Sequence, residues 1–251
     1  MTTYHIENSM CYLRTIINHI KLVISISIIF ISTNNFASSF ELTTKEVEKS
    51  AHSGNAYAQF LMGFTREAND SPVHNYKEAL MWYEKSSEQG FSPSTYNLAA
   101  LYFNGTSVSK NKKKAFELYS KAARSGYPPA VYILGVFHDT GDMVDVNRIK
   151  AFQYFYDAAS KGDAMAQVNL GVYYVRGFAT KQDFSEAYAW FSVAAKKNNQ
   201  TSITYKNKLT KMLDAKTLKI AIEKAFEYED KYYLSDSDFE NTYIKPKASI
   251  N

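Results

Sequence analysis

The sequence predicts an all-α protein built as a solenoid of stacked helix pairs, and three observations carry that expectation. Gly54, Gly90, Gly126 and Gly162 stand 36 residues apart, and Asn198 continues the series. Ala79, Ala115, Ala151 and Ala187 keep the same step, as do the aromatic or large apolar residues Trp82, Leu118, Tyr154 and Trp190. A fixed period of this size marks supersecondary units that bury their faces on one another rather than in one central core.

At the N-terminus, Lys21 precedes an apolar run from Leu22 to Ile31, followed by small and polar residues to Ser39. That is the pattern of a secretory signal, so residues 1–37 are expected to be a signal peptide cleaved after Ala37. An uncleaved N-terminal anchor is the alternative, although Asn18, His19 and Lys21 break the stretch short of the roughly 20 apolar residues a membrane span needs. Met10 offers a second start. Cys11, the single cysteine, lies before the apolar run, so the exported chain would carry no disulfide framework and rely on packing alone. A bacterial periplasm suits such a chain; an inner-membrane anchor or full secretion are the other locations open to it.

Residues 38–54 are expected to cap the first unit with a helix that places Val47, Ser50 and Ala51 in register. Four units follow, at 55–90, 91–126, 127–162 and 163–198. In the first helix of each, small residues occupy Ala58, Ser94, Ala130 and Ala166. Met62, Leu98, Leu134 and Leu170 stand four residues on, with Gly63, Ala99, Gly135 and Gly171 beside them. Glycine in a helix interior costs about 1 kcal/mol against alanine, so three in one column point to a close helix crossing. Pro93 and Pro129 suit the first turn, where a missing N–H costs little. Gly105, Gly141 and Gly177 then punctuate the loop.

The second helix carries the Ala79 column, then Trp82 and Tyr83 with their equivalents, then Ser86, Ala122, Ala158 and Ala194. The spacing i, i+3, i+4, i+7 is one face of an amphipathic helix. The Gly54 series ends these helices, because glycine and asparagine tolerate the left-handed conformation just past a C-terminus. Residues 199–231 read as C-terminal capping helices through Leu209, Met212, Leu213, Leu218, Ala221 and Ala225. Residues 232–251 read as a flexible polar tail.

The motif A-x-x-x-L-G-x-x-Y-x-x-G, a loop, and A-x-x-W-Y/F-x-x-A-A-x-x-G resembles that of Sel1-like repeats, relatives of tetratricopeptide repeats with a longer loop. Ala166, Leu170, Gly171, Tyr174, Gly177, Ala187, Trp190, Phe191, Ala194 and Ala195 form the best copy, departing only where Asn198 replaces the last glycine. The resemblance implies a right-handed α/α solenoid whose first helices line a concave face, and a non-enzymatic adaptor that binds another protein.

By analogy with tetratricopeptide repeats, the free positions on that face are Tyr57, Phe60, Phe64, Tyr96, Phe103, Tyr132, Val136 and Val172, with Ala100 and Val168 in the same rows. Two readings stand side by side for Tyr96, Tyr132 and Val168: partner contact, or filling between adjacent first helices. Phe64 and Phe103 are expected to be the more exposed. Aromatic residues concentrate binding energy, so an aromatic groove fits a protein or peptide partner.

The charge is too mild for nucleic acid: the net +4 falls by one when Arg14, Lys21 and Glu7 leave with the signal. Lys110, Lys112, Lys113 and Lys114 read as a solvated helix start, with an anionic partner as the second reading. His138 precedes Asp139, Asp142 and Asp145 but falls in the column of Tyr102 and Tyr174, so it reads as a packing residue. No metal, cofactor or catalytic motif is expected. The functions in view are an exported adaptor, including an immunity protein against a secreted lipase-type toxin, then an envelope assembly or regulatory factor or a secreted host-binding factor. A hydrolase stands last.

Overall fold

Most of the helices begin where a side chain can satisfy the first orphan N–H groups. In the computed structural model, which describes residues 45–68 and 75–245, residues 45–52 are helical and further helices follow from Ala56. They are α1 (Ala56–Glu67), α2 (Tyr76–Glu88), α3 (Ser92–Asn104), α4 (Lys112–Arg124), α5 (Pro128–Thr140), α6 (Arg148–Ser160), α7 (Ala164–Arg176), α8 (Phe184–Ala195), α9 (Gln200–Met212), α10 (Ala215–Tyr232) and a single turn α11 (Asp236–Phe239), which runs into a π-turn over Glu240–Ile244. From Ala51 onward the chain forms one unit. The expected signal peptide, 1–37, lies outside the described residues.

A column unread in the sequence sets the second helices: Asn75, Asn111, Asn147 and Asp183 each accept a hydrogen bond from an N–H of the first turn. Asparagine and aspartate are among the best residues for this task, worth about 1 kcal/mol over alanine. The first helices use Asn55 and Asp163 in the same way, whereas Phe91 and Tyr127 give no cap and a proline stands in the first turn instead. Asn198 does adopt the left-handed conformation of the glycines before it.

Packing is sequential. Within each repeat α1 lies on α2, α3 on α4, α5 on α6 and α7 on α8, and each pair lies on the next. Where a glycine sits in the first helix, the aromatic ring of the second closes on it. A Cβ on Gly63 would lie 2.6 Å from Tyr83, on Gly135 2.7 Å from Phe155, and on Gly171 2.5 Å from Phe191. The alanine columns at Ala79, Ala115, Ala151 and Ala187 are fully buried, as are Tyr83, Phe155, Trp190 and Phe191. Leu118 and Tyr154 in the tryptophan column are only partly buried.

The C-terminal helices depart from a simple continuation. α9 packs on α8, but α10 also packs chiefly on α8 and reaches α6. Tyr228 and Tyr232 of α10 enclose Trp190, with ring centroids 5.0 and 4.9 Å away. Glu186 of α8 accepts from Lys224 Nζ at 2.6 Å and from Tyr228 Oη at 2.8 Å. The expectation of a loose tail from residue 232 is corrected over 236–244. Ser235 caps α11, and Phe239 and Ile244 are 4% and 7% exposed. Two apolar side chains anchor an otherwise polar segment, too few to leave a periodic stripe.

Candidate protein-binding face

The residues expected on the concave face are brought into two aromatic groups. In the first, Phe60 of α1 lies 6.4 Å from Tyr57, 6.1 Å from Phe64, 6.3 Å from Tyr83 and 5.5 Å from Phe91 between ring centroids. Phe60 is 7% exposed and Phe64 9%, so the expected exposure of Phe64 is corrected. Its ring closes over Phe60 while the loop strand at Ala68 hydrogen-bonds back to its carbonyl.

In the second group, Tyr96 meets Tyr119 at 5.4 Å and Tyr127 at 5.7 Å. Burial raises the pKa of both Tyr96 and Tyr127, so their phenols stay neutral donors. Tyr132 lies 5.8 Å from Phe155 and accepts from Asn169 Nδ2 at 3.3 Å. Val168 is buried, and Val136 and Val172 are half-buried against the same cores. Much of this apolar row therefore joins one first helix to the next.

Phe103 is different. It is half-buried at the C-terminal end of α3, 5.9 Å from Phe137, with the ammonium groups of Lys110 and Lys112 5.9 and 5.5 Å from its ring. Lys114 lies 4.0 Å from the Tyr102 ring centroid and donates to its hydroxyl at 2.7 Å. The lysine run thus frames an aromatic pair with positive charge. Lys112 also pairs with Asp142 of the next repeat's loop.

The Tyr57 pKa is raised, first by burial and then by the charge of Glu240. Sequence reasoning missed this, because nothing in the period ties residue 240 to residue 57.

His138 stacks on Tyr154 at 5.6 Å with planes 10° apart, and burial lowers its pKa. Among the described residues no group of three or more His, Cys, Asp or Glu could hold a metal ion. A surface depression of about 340 Å³ is lined by Lys150, Gln153, Tyr154 and Asp157. No described helix is long and apolar enough to cross a membrane.

The Sel1 repeat pattern matches residues 56–91, 92–127, 128–163 and 164–199, one residue after the boundaries set by the glycine series. The chain belongs to the Sel1 repeat family. Among curated proteins none matches it by sequence. Among solved structures it is similar to a protective antigen with an SLR fold from uropathogenic Escherichia coli, at 28% identity and a TM-score of 0.54 over 83% of this chain. This chain spans about half of that protein's length, 52%. A Sel1 repeat protein from Oxalobacter formigenes matches at 22% identity and a TM-score of 0.61, over 73% of this chain and 84% of its own. An immunity protein from Pseudomonas aeruginosa matches at 18% identity and a TM-score of 0.50, over 81% of this chain and 80% of its own. The last two likenesses show the fold, a right-handed α/α solenoid.

Proposed function

We propose that this protein is an exported, non-enzymatic scaffold that holds one partner protein on the concave face of its first helices. Membership of the Sel1 repeat family supports a protein-interaction role. The observation that carries the site is the half-buried Phe103 framed by Lys110 and Lys112. An aromatic anchor beside positive charge suits a partner that offers an apolar side chain next to an acidic one. Tyr57, Tyr96, Tyr132, Val136 and Val172 extend the face with half-buried surface.

The sharper form of the proposal is an immunity protein that binds and blocks a toxin in the periplasm. Its support is the likeness to the Pseudomonas aeruginosa immunity protein. A second reading, a secreted factor facing a host, is favoured by the likeness to the protective antigen. Co-expression with each candidate toxin separates them. Protection that is lost in the Phe103→Ala variant supports the immunity form, and toxicity unchanged by the wild-type protein rejects it.

A further inference from the structure

The segment after α10 is held on the repeats as a bound peptide is held, by a few side-chain anchors. Its two turns, α11 and Glu240–Ile244, pack on each other, and no repeat helix packs broadly on them. Leu234 fills the space over Gly162, where an added Cβ would meet it at 2.6 Å. Asp236 pairs with Lys197 at 3.3 Å, and the same ammonium donates to the Gly162 carbonyl at 3.3 Å. Phe239 lies 5.5 Å from that ammonium, and its ring meets Tyr243 at 4.9 Å. The receiving surface is therefore the pair of turns that join the last two repeats to α7 and α9. It carries a cation whose side chain is only 12% exposed.

Three features mark this surface as a binding site and not simply a chain end. The segment seated on it, residues 234–244, lies outside the repeats, which end at 199, so stacking does not require that segment. Its anchors are an acidic residue and an aromatic three positions later, the spacing that places both on one side of a helical turn. Its charge partner, Lys197, is a repeat residue already oriented by the Gly162 carbonyl. A tethered segment acts at a millimolar effective concentration, so modest intrinsic affinity suffices to keep it in place.

We propose that residues 234–244 are a self-ligand, and that the Gly162–Lys197 surface accepts in their place a partner's peptide segment carrying an acidic residue and, three positions on, an aromatic one. This rests on the scaffold reading above and adds a second contact surface, distinct from the one around Phe103.

The test uses the full chain and a fluorescein-labelled peptide with the sequence of residues 233–245, followed by anisotropy. In wild type the tethered segment competes, so the peptide binds weakly. The Phe239→Ala variant frees the surface and should bind the peptide about tenfold more tightly, the order set by removal of a competitor at millimolar effective concentration. Adding Lys197→Met should abolish that gain, and a scrambled peptide should not bind. Asp236→Asn is the second opening variant if Phe239→Ala alters the circular dichroism spectrum. Equal peptide affinity in wild type and both opening variants, or a gain untouched by Lys197→Met, overturns the proposal. Partner capture through Phe103 is independent of this peptide exchange, so either reading can fail while the other stands.

Discussion

Replacing Gly171 with alanine tests the helix crossing on which every repeat depends. The new Cβ would lie 2.5 Å from Cε1 and 2.7 Å from Cζ of Phe191, about 1 Å inside the roughly 3.5–4.0 Å of a good carbon contact. Phe191 has little room to withdraw, because it is fully buried and stacked on Tyr205 at 4.9 Å with planes 8° apart. Overpacking a core costs about 1–3 kcal/mol, and a rigid ring places this site at the upper end. Alanine returns about 1 kcal/mol of helix propensity, leaving a net loss of about 2 kcal/mol. For a chain of this size that lowers Tm by about 4–8 °C. The same column holds Ala99 in the second repeat, opposite Tyr119, so the clash and not the methyl group as such is the cause. Thermal and urea unfolding should show the loss. Phe191→Leu in the same chain should recover part of it, with a coupling of about 1 kcal/mol. A Gly171→Ala variant as stable as wild type would refute the crossing geometry.

The other predictions concern charge, the C-terminal helix and the face. Burial raises the Asp163 carboxyl to about 6 at 2% exposure, against the N–H groups it caps and the attraction of the Lys197 charge, which both pull it down. From about pH 4 to 6 the unfolded chain releases this proton while the folded chain holds it, so stability falls as pH rises and the penalty is complete above. Asp163→Asn keeps a good cap, as Asn55 and Asn199 do in the same column, and should gain about 1–3 kcal/mol at pH 7 and lose that slope; urea midpoints from pH 4 to 8 decide, and an unchanged slope refutes it. Glu186→Ala leaves Lys224 and Tyr228 without their acceptor and should cost about 1–3 kcal/mol, with faster hydrogen exchange in α10 than in α5. Phe64→Ala should cost about 3–5 kcal/mol of stability through its burial, whereas Phe103→Ala, at a ring half-buried against Phe137, should cost less stability and weaken partner capture by about 1–3 kcal/mol in a titration.

The scaffold was legible because a repeat exposes its packing columns to comparison. Gly135 and Gly171 announce a close approach without any knowledge of Phe155 or Phe191. The cap column of Asn75, Asn111, Asn147 and Asp183 is equally periodic, but short polar residues at a loop end carry a weaker signal than an aromatic column. The face was less legible, since position in a helix does not say how far the next helix lies. Phe64 and Phe103 stand 39 residues apart in similar turns, yet Phe64 closes over Phe60 and Phe103 stays open beside two lysines. The stripe of Leu218, Ala221 and Ala225 shows that α10 buries a face but not that α8 receives it. Phe239 and Ile244 lie in so polar a segment that no local pattern marks their burial, and the Lys197 ammonium 5.5 Å from Phe239 comes from a repeat 42 residues earlier.

The most direct test of the scaffold claim is site-specific photo-cross-linking of the full chain in its native host. A photoreactive phenylalanine at position 103 or 172 should yield one discrete protein adduct, and the same residue at Gln153 on the exposed side of α6 should yield none. Adducts from position 153 alone would contradict the account and move the partner to the opposite helices.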